Sequence, residues 1–136
     1  MNPAEIVLIE DNPADVFLVE LAMKENGIPY HLTRFASGEE AVKSLCELSS
    51  GDITIPDAIL LDLNTPRSDG FQVLGRLKNT PRLARVPLAI ITSSCANSDK
   101  FRAKMFGTRH IEKPARLNEF LSTVGGAIRE MLANHA

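Results

Sequence analysis

Short apolar runs alternate with segments of helical period along the whole chain. The runs EIVLIE (5–10), YHLTRFA (30–36), DAILLD (57–62), PLAIIT (87–92) and RHIEK (109–113) have the length and bounding polar residues of strands. Unbroken apolar character, as in AILL, marks a strand buried on both faces. Helical patterns fill the gaps. Asn12 and Pro13 suit the cap and first turn of a helix that runs to Asn26 and is stopped by Gly27. SGEEAVKSLCEL predicts a second helix, and SDGFQVLGRLKN a third, capped by Ser68 or Asp69. NSDKFRAKMFG predicts a short fourth that ends at Gly107, a residue suited to a left-handed C-terminal cap. In the last helix Leu117, Phe120, Leu121, Val124, Ile128, Met131 and Leu132 form one stripe, which reads as core packing. The first helix has a surplus. Val16, Phe17, Leu18, Val19, Leu21, Ala22 and Met23 exceed what one buried face needs, so some are expected to face solvent or a partner.

Five β/α units predict an open parallel sheet covered by helices on both faces, because parallel strands need crossover helices and right-handed connections. Of the two common doubly wound α/β orders, the flavodoxin-like 2-1-3-4-5 suits this strand number. Ligands in such sheets gather at the carboxyl ends of the strands, near the switch in strand order. The unusual polar residues at the strand ends fall at that edge: Glu10 and Asp11 after the first strand, Asp62 at the third, Thr92 and Ser93 at the fourth, and Lys113, followed by Pro114, at the fifth. Segment 48–56, LSSGDITIP, reads as a surface loop into the third strand.

At 136 residues, 44% hydrophobic and 24% charged, the chain suits one well-buried core rather than two. A single domain over 1–136 is expected, with no output domain, because only one helix fits after Lys113. A net charge of -2 without any run of Lys or Arg supplies no footprint for nucleic acid or an anionic membrane. The opening MNPAEIVLIEDN lacks the basic segment of a signal peptide, and no apolar stretch approaches the ~20 residues of a membrane span, so a cytoplasmic location is expected. Cys46 and Cys95 have neither C-x-x-C nor metal spacing, which suits reduced thiols, and His31, His110 and His135 are too scattered for a metal site.

The carboxylate that closes AILLD is not a core group, and Asn64 follows it by two positions. In the expected strand order Glu10, Asp11 and Asp62 converge. Two like charges ~5 Å apart repel by roughly 3 kcal/mol at an effective dielectric of about 20, so such a cluster calls for a counter-charge. Oxygen donors without a nearby His or Cys point to a hard divalent cation, and few carboxylates plus water suit Mg²⁺ better than Ca²⁺. The cation and Lys113 together would attract a dianionic phosphoryl group, which Asp62 could attack at phosphorus. Thr92 would offer a hydroxyl donor. Ser93 reads as a small residue that keeps the pocket open.

In the acidic pair Glu10 and Asp11, LLDLNTPRSDG around Asp62, IITSS around Thr92 and EKP at Lys113 and Pro114, the chain resembles the receiver domains of two-component response regulators. The resemblance covers essentially its whole length. It implies a phosphorelay switch, more than an enzyme, that takes a phosphoryl group from a phosphohistidine kinase onto Asp62 and loses it slowly by hydrolysis. It implies Asp11 and Asp62 as direct Mg²⁺ ligands with the Asn64 backbone carbonyl, Glu10 acting largely through water, Thr92 and Lys113 on the phosphate, and Pro114 as a cis-proline. Three departures stand out: Glu-Asp in place of the commoner Asp-Asp, Thr65 where an apolar residue is usual before Pro66, and His110 where many receivers carry an inward-turning Tyr or Phe. The EDNPADVFLVELAMK opening and the long loop before the third strand resemble the small receivers of bacterial phytochrome-type histidine kinases. That implies such a kinase as partner, docked through the first helix, and a homodimer through the fourth and fifth helices and fifth strand.

Two other classes compete. A Mg²⁺-dependent phosphatase or phosphotransferase of haloacid-dehalogenase type also uses an aspartyl nucleophile, but wants a second aspartate where this chain has Asn64. A flavin-binding module of similar topology wants a phosphate-cradling loop after the first strand, where EDNPAD would repel an anion.

Overall fold

A computed structural model describes residues 2–47, 55–63, 69–93 and 96–134. Strands β1 (Ala4–Ile9), β2 (Tyr30–Phe35), β3 (Ala58–Asp62), β4 (Leu88–Thr92) and β5 (Arg109–Glu112) alternate with helices α1 (Pro13–Glu25), α2 (Gly38–Val42), α3 (Gly70–Lys78), α4 (Asn97–Met105) and α5 (Leu117–Ala133). All strand pairs are parallel and the sheet order is β2-β1-β3-β4-β5, as the alternation of elements predicts. The period of two along each strand sends its side chains to opposite faces, which yields two cores. Ile6 and Leu8 of β1 join Leu60 and Ile91 under α1 and α5, whereas Val7 and Ile9 join Ile59, Leu61 and Ile90 under α2, α3 and α4.

Local chemistry sets the helix ends. The Asn12 side chain accepts a bond from Ala14 N at 2.9 Å with Pro13 in the first turn, and Gly27, at φ 68°, takes the left-handed turn that follows α1. Asp69 caps α3 by accepting from Phe71 N at 2.9 Å. α2 is shorter than its pattern predicts. It gives way at Lys43–Glu47 to a π turn, which aims the Leu45 carbonyl at Arg82, whose Nε and Nη2 donate to it at 3.1 and 2.6 Å. α4 buries only Ala103, and its position against α3 is held by Arg102 over the Phe71 ring, 3.9 Å from the centroid, and by Phe106 stacked on Phe71.

The helical stripes are narrower than the sequence suggests. In α5, Phe120, Val124, Ile128 and Met131 are buried, while Leu121 and Leu132 are partly covered and Leu117, in the first turn, is exposed. In α1, Val19, Ala22 and Met23 are buried, and of the surplus Phe17 is 63% exposed. Among the described residues no helix is long and apolar enough to cross a membrane. Expectations for 48–54, Asn64, Thr65, Pro66, Ser68, Cys95 and His135 lie outside the described residues.

Candidate functional site

Glu10 follows β1 directly, and its backbone is fixed from the neighbouring strand. Its N–H donates to Phe35 O at 3.0 Å, while Arg34 on β2 donates from Nε to Glu10 O and from Nη2 to Asp11 O, each at 2.9 Å. Asp62 ends β3 one strand away, in register with Ile91, and Thr92 ends β4 opposite Glu112. Glu10, Asp62 and Thr92 are 1%, 3% and 0% exposed, which makes them unusual polar groups for a sheet this apolar.

Lys113 supplies the counter-charge. Its Nζ lies 2.9 Å from Asp62 Oδ2, 3.1 Å from Glu10 Oε1 and 3.1 Å from Asp15 Oδ2. Its own N–H donates to Thr92 O at 2.7 Å, which ties the end of β5 to the end of β4 and starts the side chain toward the acids. Oxygens of Glu10, Asp15 and Asp62 all lie within 4.8 Å of one another. Burial, and then the adjacent Asp62 carboxylate, push the Glu10 carboxyl up to about 8, against the opposing pull of Lys113. Burial disfavours the Lys113 charge, but Asp62 and Glu10 outweigh it and hold the amine above the ordinary lysine range. The ammonium is therefore charged at neutral pH.

The structure brings together Glu10, Asp62 and Lys113, with Thr92 at the adjoining strand end. Asp11 is exposed, and the third carboxylate of the group is Asp15, in the first turn of α1, rather than Asp11. Asn64 lies outside the described residues. Ser93 is exposed. Pro114 departs from the resemblance: the peptide bonds of the described residues are all trans, the lower-energy isomer by about 0.5–1 kcal/mol even before proline. His110, paired with Ile90, has a buried Nε2 without a hydrogen-bond partner among the described residues. A cavity of about 440 Å³ between α2 and α3, bordered by Glu39, Lys43, Asp69 and Arg76, contains none of the predicted site residues.

Sequence reasoning missed Asp15 and Arg34. Asp15 had a signal, an acid one turn inside a helix that starts beside the acidic pair, but acids there also complement the helix dipole. Arg34 had none, because an arginine on an edge strand is an ordinary solvated residue.

Chemically, the cluster is an all-oxygen donor set with no thiol or imidazole in it, of the kind that accepts a hard divalent cation. It adjoins a fixed ammonium, so an added anion and cation would each find an opposite charge.

This combination of fold and site defines a class. Residues 6–125 match the response regulator receiver domain family, and the chain belongs to it. Response regulators of this family are phosphoacceptor switches that work with histidine kinases, and receiver domains bind a divalent metal at an acidic pocket. Among individual relatives, the chain is 31% identical over 126 residues to the response regulator Rcp1 of Synechocystis sp., which covers 91% of this chain and 86% of Rcp1. It is 32% identical over 102 residues to the probable methanogenesis regulatory protein FilR2 of Methanothrix harundinacea, over 75% of this chain and 66% of FilR2. The fold superposes on the phosphorylated cyanobacterial phytochrome response regulator RcpA with a TM-score of 0.86 at 32% identity, over 99% of this chain and 97% of that one. Against the Mn²⁺-bound form of Rcp1 the TM-score is 0.85 at 28% identity, over 98% of each. The chain is thus a receiver domain homologous to phytochrome-associated response regulators. The haloacid-dehalogenase reading finds no support in these relationships.

Proposed function

We propose that this chain is a stand-alone, cytoplasmic response regulator that accepts a phosphoryl group on Asp62 from a phosphohistidine kinase of phytochrome type. The observation that carries the reading is the 2.9 Å approach of Lys113 Nζ to the buried Asp62 carboxylate, at the carboxyl edge of the sheet. An Asp62 oxygen attacks phosphorus, the P–N bond to the donor histidine breaks, and its electron pair stays on the departing imidazole. Lys113 neutralises charge on the transferred group, and the Thr92 hydroxyl donates to it. Glu10, Asp11, Asp62 and the Asn64 carbonyl would hold Mg²⁺, whose bound charge offsets that of the incoming dianion. Hydrolysis of the acyl phosphate by water then resets the switch slowly.

The near-complete coverage of RcpA and Rcp1 supports the stand-alone form and the phytochrome-type partner. A homodimer through α4, β5 and α5 is supported by Phe101 and Met105, 63% and 72% exposed on one side of α4.

Incubation with acetyl phosphate and Mg²⁺ tests the reading. One added phosphate per chain, absent in Asp62→Asn, is the expected mass-spectrometric result. Steady turnover of phosphate esters without a stable adduct would instead indicate a phosphatase.

A further inference from the structure

An ammonium group has three N–H donors, and in Lys113 each has a carboxylate within reach: Asp62 at 2.9 Å, Glu10 at 3.1 Å and Asp15 at 3.1 Å. The three acceptors are not equivalent. The Glu10 and Asp62 side chains are 1% and 4% exposed and come from strand ends, whereas Asp15 is 29% exposed and comes from the first turn of α1. Glu10 and Asp62 are the carboxylates placed deepest in the acidic pocket, so a divalent cation that enters it competes with the amine for those two. Asp15 sits at the rim, where it can keep its bond to Lys113 while the inner pair changes partner.

We propose that Asp15 is a positioning residue for Lys113: it retains the ammonium at the pocket rim when a divalent cation takes over Glu10 and Asp62, and keeps the amine within reach of a phosphoryl group there. The inference rests on the reading of this pocket as a cation and phosphoryl site. Without Asp15 the amine is left, among the described residues, with the inner two carboxylates. It then competes with the cation more strongly, and cation binding weakens through Lys113 rather than through a lost ligand.

That distinction is measurable with a double-mutant cycle on the full chain, using calorimetric titration of Mg²⁺ alone into the native protein, Asp15→Asn, Lys113→Met and the double variant. In the Lys113 background Asp15→Asn is expected to weaken Mg²⁺ binding about fivefold, at the upper end of what an ion pair open to solvent contributes. In the Lys113→Met background the same substitution is expected to change affinity less than about twofold, since the residue through which it acts is gone. Asp15→Glu, which keeps a carboxylate at the rim, is expected to recover most of the loss. An equal loss in both backgrounds would mean that Asp15 acts on the cation directly, and no loss in either would mean that it does not act on the pocket; each overturns the proposal. Circular dichroism of the variants checks their folding, with Asp15→Ser taking the place of Asp15→Asn should the latter fail to fold. Acetyl phosphate labelling of the native protein runs in parallel. Absence of label there overturns Asp62 as phosphoacceptor, while the cycle still decides the role of Asp15.

Discussion

Lys113 Nζ reaches Asp62 Oδ2 at 2.9 Å even though β4 lies between their two strands. At about 4.8 Å per strand the two backbones are about 10 Å apart, so a long, flexible side chain is needed to span the end of β4. The bond that results is largely shielded from solvent, with the two side chains 11% and 4% exposed, and its removal leaves Asp62, Glu10 and Asp15 without their shared cation. Lys113→Met is therefore expected to lower folding stability without Mg²⁺ by about 2–3 kcal/mol, somewhat below the usual cost of breaking a buried pair because the carboxyls can take up a proton. Urea unfolding with and without Mg²⁺ checks this; equal midpoints for native and variant proteins in chelator would refute it.

The Glu10 carboxyl, pushed up to about 8 from 4.5, makes metal-free stability depend on pH. Between those values the folded state holds a proton that the unfolded chain has released, so unfolding free energy falls as pH rises. The contribution is fully present below about 4.5 and is lost as pH passes through about 8. In chelator, the urea midpoint should be lower at pH 8 than at pH 5, with a shallower fall in Glu10→Gln. The raised Lys113 titration lies above this window and adds nothing to it. A fall equally steep in Glu10→Gln would assign the dependence to other groups.

Phe17 is 63% exposed on α1, where a large aromatic has no packing role in the isolated chain. As a docking contact for the kinase it has one. Phe17→Asp is expected to slow phosphotransfer from a cognate kinase roughly tenfold, as for loss of an aromatic anchor, and to leave acetyl phosphate labelling and thermal stability unchanged. Equal kinase rates would reduce Phe17 to an ordinary surface residue.

Phosphorylation is expected to tighten or rearrange self-association through α4, β5 and α5. Sedimentation with and without beryllofluoride, a phosphate mimic, should differ for the native protein, and Phe101→Glu should abolish the difference by placing charge on that face. Unchanged sedimentation of the native protein would exclude the coupling.

Gly125 and Gly126 are neighbours on α5 with opposite requirements. Gly125 lies against Asn26, whose Nδ2 donates to Ala22 O at 2.8 Å and Leu121 O at 2.9 Å, so it bridges α1 and α5. A methyl group at Gly125 would collide with that amide, while nothing lies within 4 Å of one at Gly126. Gly125→Ala is expected to cost about 1–3 kcal/mol through overpacking, and Gly126→Ala to gain up to about 1 kcal/mol in helix propensity. Thermal denaturation of both variants distinguishes these signs.

Local chemistry was enough for much of this protein. Pattern located all five strands to within a residue or two: β1, β3 and β4 by apolar runs, because a strand buried on both faces has to be apolar, and the edge strands β2 and β5 by their length and bounding residues; Pro13, Gly27, Asp69 and Gly107 marked helix ends, because each meets a local backbone need. The expected meeting of Glu10, Asp62 and Lys113 also followed from strand order, which the alternation of elements dictates. Other features depended on contacts between residues remote in the chain. Asp15 joined the pocket because the first turn of α1 brings its carboxylate to Lys113 at the sheet edge, whereas Asp11, which precedes that helix, is exposed and makes no contact with the amine. The π turn after α2 answers Arg82, and the tight contact at Gly125 answers Asn26. Sequence by itself thus determined the order of elements and the ends at which charge gathers, since period and capping are properties of neighbouring residues. Tertiary structure alone decided which carboxylate meets the lysine, since that depends on the distance and angle at which separate elements pack.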